Sequence, residues 1–157
     1  MPNRLATGEY VFADFPDFRP TLSPREIFLR GAFGGTYWRP IWSAVTRRNY
    51  ANAHLEFPAS WWRGCGVIDS PVYDRTINQF GVRAGTSLEY WESRGWITRW
   101  DPYGWIQWYC RFFRGRRCPD DARQVDRWLR LAGARGRFRN GRTPKKRQTL
   151  LHWAVAT

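Results

Sequence analysis

Residues 101–113 read DPYGWIQWYCRFF. From Trp105 to Phe113 the run is apolar nearly all round, the composition of a helix buried at the centre of a domain rather than laid on its surface. Asp101-Pro102 reads as its opening, since Pro has no N–H to lose at a first helical position, and Gly115 marks its end. A helix with no polar face needs other elements on every side, and the flanking sequence supplies them.

Ser23-Pro24-Arg25-Glu26 is a capping box with Pro at the first position, predicting a short helix to Arg30, stopped at Gly31. Thr86-Ser87-Leu88-Glu89 repeats the box, Leu88 and Trp91 share a face, and Gly95 ends a helix over 87–94. Pro119-Asp120-Asp121 begins another, with Ala122, Val125, Trp128, Leu129 and Ala132 as its apolar stripe and Gly133 as its stop. Thr143-Pro144 starts the last, with Leu150, Leu151 and Ala154 placed to dock it. Weaker helical patterns cover 40–48 and 58–63, and the irregular run at 65–85 can hold one small β-hairpin. The expected fold class is mainly α: a single compact domain at 13–157, of about five to seven short helices around an aromatic-rich core. The segment 1–12 is expected to fray.

The chain has 157 residues, 11 of them Trp, and that length buries a core without disulfides or a metal. Its three cysteines, Cys65, Cys110 and Cys118, are odd in number and widely spaced, which fits a reducing compartment. No apolar run approaches the roughly 20 residues of a membrane span, and MPNRLATGEY has no signal-peptide core. An intracellular protein is expected, nuclear in a eukaryote and otherwise cytoplasmic, with no membrane partner.

Charge is distributed unevenly. Residues 1–110 carry 12 Lys+Arg against 10 Asp+Glu, whereas residues 111–157 carry 14 against 3. Such asymmetry concentrates polyanions, of which nucleic acid, DNA or RNA, is the commonest. Arg outnumbers Lys 24 to 2; planar forks suit phosphate, although a GC-rich coding sequence produces the same bias. Arg116 and Arg117 follow the central helix, where cations stabilise its negative pole, and they also stand among the candidate nucleic-acid contacts. Arg123, Arg127 and Arg130 form a ridge opposite an apolar stripe, and Asp120 and Asp126 are spaced to neutralise it, so a solvent face and a recognition face are both open. Arg135, Arg137, Arg139, Arg142, Lys145, Lys146 and Arg147 have no acidic residue among them. The last three occupy a helix's first turn, where cations are unfavourable, so an external polyanion explains them better than the fold does. PKKR at 144–147 also reads as a nuclear-localisation patch. Phe138, among these cations, is either a stacking platform for a base or an anchor onto the core.

Tyr37, Trp38, Trp42, Trp61 and Trp62 fall in Gly- and Pro-bearing segments, and either line a pocket for an unpaired or modified base or fill the core. No HExxH, CxxC, GxSxG or P-loop pattern is present, and no ligand spacing for a metal, so neither a metal nor a cofactor is expected. Asp74, beside Tyr73, is the carboxylate without an evident capping task. If the protein is an enzyme, these two are the catalytic candidates for a glycosylase- or nuclease-like hydrolase. The leading expectation is a nucleic-acid-binding protein, with that enzyme or a module for an acidic protein partner as alternatives. DPYGWIQWYCRFFRGRR, DDARQVDRWLRLAGARGRF and RQTLLHW together resemble an uncharacterised family of small, basic, Trp-rich proteins, a resemblance that implies a single domain and no activity.

Overall fold

Chain order in this computed structural model, which describes residues 1–157, starts with strands β1 (Asn3–Arg4) and β2 (Tyr10–Val11), then helix α1 (Pro24–Arg30). Strands β3 (Ile41–Ser43) and β4 (Arg48–Tyr50) follow, then α2 (Leu88–Ser93), α3 (Trp105–Phe113), α4 (Asp121–Leu131) and α5 (Pro144–His152). Short 3₁₀ turns occupy Phe33–Gly35, Ala53–Glu56, Ala59–Trp61 and Arg75–Ile77. The result is one compact domain with five α-helices, two small antiparallel hairpins and an aromatic-rich core.

Helix α3 is the axis of that core, with Trp105 to Cys110, Phe112 and Phe113 all buried. Phe18 reaches in from the N-terminal segment, its ring centroid 5.1 Å from that of Trp128 and 5.7 Å from those of Trp108 and Phe112. Burying so many amphipathic rings requires that their polar tips be satisfied. Tyr109 Oη donates to Leu22 O at 2.6 Å, Trp108 Nε1 to Asp121 Oδ1 at 2.8 Å, Trp105 Nε1 to His152 O at 3.0 Å, and Trp128 Nε1 to Trp153 O at 2.8 Å. The first three tie the chain at Leu22, the start of α4 and the end of α5 to the axis, and the fourth ties α4 to the residue after α5, so these rings set the arrangement of helices as well as filling it.

The start of α3 differs from the sequence reading. Asp101 does not open the helix, because its carboxylate is only 1% exposed and accepts from Arg116 (2.7 and 2.8 Å) and Arg111 (3.1 Å). Gly104 is the N-cap instead, at φ 92°, where a Cβ would stand 2.8 Å from Ile97 Cδ1. The amide a capping side chain would have covered, Gln107 N in the helix's first turn, donates instead to Tyr37 Oη at 3.1 Å, while Gln107 Oε1 accepts from Tyr103 N at 2.9 Å. The other starts follow local chemistry. Ser23 and Glu26 form the reciprocal box on α1, Ser87 Oγ accepts from Tyr90 N on α2, and Thr143 Oγ1 from Lys146 N on α5.

Residues 1–12 do not fray. Asn3 pairs with Val11 and Arg4 with Tyr10, and the Arg4 guanidinium reaches Thr21 O (2.8 Å) and Glu26 (3.3 Å). The 40–48 pattern is not helical: it leads into the β3–β4 hairpin, with Ile41 facing Tyr50 and Ser43 facing Arg48. The 65–85 stretch forms no hairpin, and only one 3₁₀ turn lies within it. Residues 58–63 shorten to a 3₁₀ turn, Ala59–Trp61.

Candidate nucleic-acid interface

The cations of the last third sort by what they touch. Arg111, Arg116 and Arg117 are absorbed by the fold: Arg111 bridges Glu56 (2.6 Å) and Asp101 (3.1 Å), Arg116 pairs with Asp101 (2.7 Å), and Arg117 pairs with Asp14 (2.7 Å) while lying 3.7 Å over the Phe112 ring. Burial pushes the Asp101 carboxyl up and the two guanidiniums pull against it. The expectation that Arg116 and Arg117 face a ligand therefore meets geometry in which both have internal partners.

The loop from Gly133 to Arg142 is pinned to the end of α4. Arg137 N donates to Arg130 O (2.8 Å), Phe138 N to Leu131 O (2.9 Å), and Arg139 Nη1 to Ala132 O (2.8 Å), so three of the helix's last carbonyls are satisfied by the returning chain. Asn140-Gly141 sits in a turn rather than a hairpin, and Gly141 N donates to Phe138 O at 2.9 Å. Three of the seven cations at 135–147 thus have internal contacts. Arg139 caps α4, Arg137 lies 4.9 Å over Phe138, and Arg147 lies 4.5 Å over Phe80 and reaches Thr157 Oγ1 at 3.2 Å. Arg135, Arg142, Lys145 and Lys146 are exposed and pair with no carboxylate.

Beside this loop lies a cleft of about 610 Å³. Arg123, Arg127 and Arg130 of α4 line it with Arg137, Trp96 and Trp153, and Tyr90 and Phe138 also border the space. No Asp or Glu lines it. Arg123 is held by Asp120 (2.5 and 2.9 Å) and Arg130 pairs with Asp126 (3.0 Å), neither carboxylate lining the cleft. Arg127 has no such partner: its side chain donates to the neutral Gln124 Oε1 at 2.9 Å and stands 5.3 Å from the ring centroids of both Trp96 and Trp153. Burial, with Arg123 beside it, brings the Arg127 guanidinium down to about 10, so it stays charged at neutral pH. His152 also lines the cleft, stacked on Phe33 at 3.9 Å, and burial brings its imidazole down to about 3. It is neutral and adds no charge.

The five aromatics expected to form a pocket do not gather into one. Trp38 and Trp61 are core, Tyr37 is buried with its hydroxyl donating to Tyr103 O (2.7 Å) and only its ring reaching the cleft, and Trp62 packs on Phe28 at 5.3 Å. Trp42 is 55% exposed on β3, apart from the cleft. Tyr73 and Asp74 both have structural tasks. Asp74 accepts from Thr76 N (3.0 Å) and Oγ1 (2.6 Å), capping a 3₁₀ turn, and the Tyr73 ring covers Gly34, whose added Cβ would stand 2.6 Å from it. The Tyr73 hydroxyl accepts from Asn78 Nδ2 (2.9 Å), and Asn78 Oδ1 accepts from Gly34 N (2.8 Å), completing a clamp on a glycine at φ 58°. Neither residue lines the cleft.

Sequence reasoning missed Tyr90, Trp96 and Trp153. The last two lie just past helix ends, where apolar periodicity no longer assigns a face. The three cysteines are free, and no three His, Cys, Asp or Glu side chains are gathered as a metal ligand set. No helix is long and apolar enough to cross a membrane. No protein-family model, curated protein or solved structure matches the chain.

Proposed function

We propose that this mainly α domain binds nucleic acid, gripping phosphates with the 133–142 loop and the first turn of α5. One observation carries the reading: Arg135, Arg142, Lys145 and Lys146 stand exposed and without acidic partners on one continuous segment fixed by backbone bonds to α4, in a third of the chain where the other arginines largely have partners. Like charges held together on a fixed segment repel, and phosphates relieve that repulsion while releasing counterions. Asn140, Arg137 and Phe138 on the same loop extend the surface from charge toward rings. An acidic protein partner would answer the same charges, but the aromatic-lined cleft beside them favours nucleic acid, whose bases stack on such rings.

The test is affinity for labelled single-stranded and duplex DNA and RNA across a salt series, for the wild type and the Arg135→Gln/Arg142→Gln/Lys145→Gln/Lys146→Gln variant. Log affinity against log salt should flatten by about three to four in slope, since each lost phosphate contact removes about 0.7 to 0.9. An unchanged slope rules out this surface.

A further inference from the structure

We propose that the cleft lined by Arg123, Arg127, Arg130 and Arg137 together with Trp96 and Trp153 is a ligand site for a flat aromatic ring bearing a phosphate, of which a nucleoside monophosphate is the simplest example. This deepens the nucleic-acid reading and rests on it for the choice of phosphate over other anions.

The cleft's volume, about 610 Å³, falls inside the roughly 300–1,000 Å³ range of small-molecule sites. Its charge is of one sign, with four guanidiniums in the lining and no carboxylate. Two of the four are paired with Asp120 and Asp126, which leaves Arg127 and Arg137 without a carboxylate partner. Arg127 is the informative one. A largely desolvated guanidinium bonded only to a neutral amide, with two more cations close by, is an arrangement that costs stability unless an anion completes it. Its fork is also held in place, equidistant from two indoles. A planar donor fixed in this way suits a bidentate oxyanion such as phosphate.

A bare anion would not use the remainder of the site. Most of the lining is hydrophobic, and the rings of Trp96 and Trp153 are only partly covered by protein. A flat ring stacked against them would remove that surface from water as the phosphate meets Arg127. A space of this size holds one nucleotide, whereas a lipid surface or a long stretch of polypeptide would extend well beyond it. Arg137 and Phe138 belong to both the cleft and the basic loop, so a strand whose phosphates lie along the loop would have one nucleotide beside the cleft mouth.

Tryptophan fluorescence during titration with adenosine 5′-monophosphate, and separately with adenosine, tests the assignment. Expected are saturable quenching by the monophosphate, at least tenfold weaker binding of adenosine, and a tenfold or greater loss in Arg127→Gln. Arg137→Gln, at the exposed lip, should lose severalfold and serves if Arg127→Gln fails to fold by circular dichroism. Short oligonucleotides with and without a 5′-phosphate then separate the two sources of this chemistry. A 5′-phosphate preference that Arg127→Gln abolishes identifies a strand end, and its absence alongside monophosphate binding identifies a free nucleotide. No saturable monophosphate binding, or binding that neither arginine variant weakens, overturns the assignment. If that occurs while polynucleotide binding keeps its salt slope through the basic loop, the cleft assignment alone falls; if polynucleotide binding is also absent, both readings fall.

Discussion

His152 illustrates how far burial can override a side chain's ordinary chemistry. Its Nε2 accepts from Phe33 N at 3.1 Å and faces the Gln148 amide at 3.0 Å, so the unprotonated nitrogen is already in use, and burial holds the imidazole near 3 rather than 6.5. Protons therefore bind the unfolded chain more readily than the folded one. The stability contributed is complete above about 6.5 and is lost as pH falls toward 3, at about 1.4 kcal/mol per pH unit. Urea unfolding from pH 7 to pH 4 should show this slope, and His152→Gln should lack roughly one proton's worth of it. Parallel slopes would assign the acid sensitivity to the carboxylates instead. In the sequence this histidine stands alone without a motif, because its partners are Phe33, 119 residues away, and a Gln one turn back. Asp74 misleads in the opposite way: its exposed carboxylate caps a turn too short for periodicity to reveal.

At the scale of elements, capping chemistry was legible wherever the cap is local. The starts of α1 and α5 follow from Ser23 and Thr143 with their neighbours, and α2 starts where expected but without the box read at Thr86–Glu89, since Ser87 is its cap and Tyr90, not Glu89, stands at the third helical position. It failed at α3, where Asp101-Pro102 has the sequence of a helix start but Asp101 is drawn to Arg111 and Arg116, 10 and 15 residues onward. Long-range ion pairing won over a local cap. The hairpin β3–β4 was hidden for a related reason: a three-residue strand with buried Ile41 and Ser43 around exposed Trp42, paired to a strand with no buried side chain, does not produce a pattern longer than noise. Removing the Asp101 carboxylate should expose the weight of that junction. Asp101→Ala leaves the partly buried Arg116 guanidinium without its acidic partner and Arg111 with Glu56 alone, and such a loss costs about 3–5 kcal/mol. A thermal melt of the variant measures it, and a midpoint within a degree or two of the wild type would mean that α3 does not depend on this pair.

Across the whole molecule, the charge asymmetry was visible in the sequence and its meaning was not. Counting places 14 cations after residue 110; only the fold separates those paired with acids from Arg135, Arg142, Lys145 and Lys146, because partners such as Asp14 and Glu56 come from distant segments. The aromatic core was legible for the same reason that the cleft was not. A run such as WIQWYC declares burial by its composition, whereas the cleft's lining is gathered from residues 33–37, 85–97, 105–106, 123–138 and 149–153, which meet only after folding. The central claim is that position, rather than net charge, makes the basic loop a phosphate-binding surface. The most direct measurement compares two variants of equal charge by salt-dependent nucleic-acid affinity: one with Arg135, Arg142, Lys145 and Lys146 changed to Gln, the other with the exposed Arg30, Arg47, Arg48 and Arg63 changed to Gln. The first should lose about three to four in slope and the second less than one. Equal losses would contradict the account, leaving diffuse positive charge, and no defined surface, as the cause of binding.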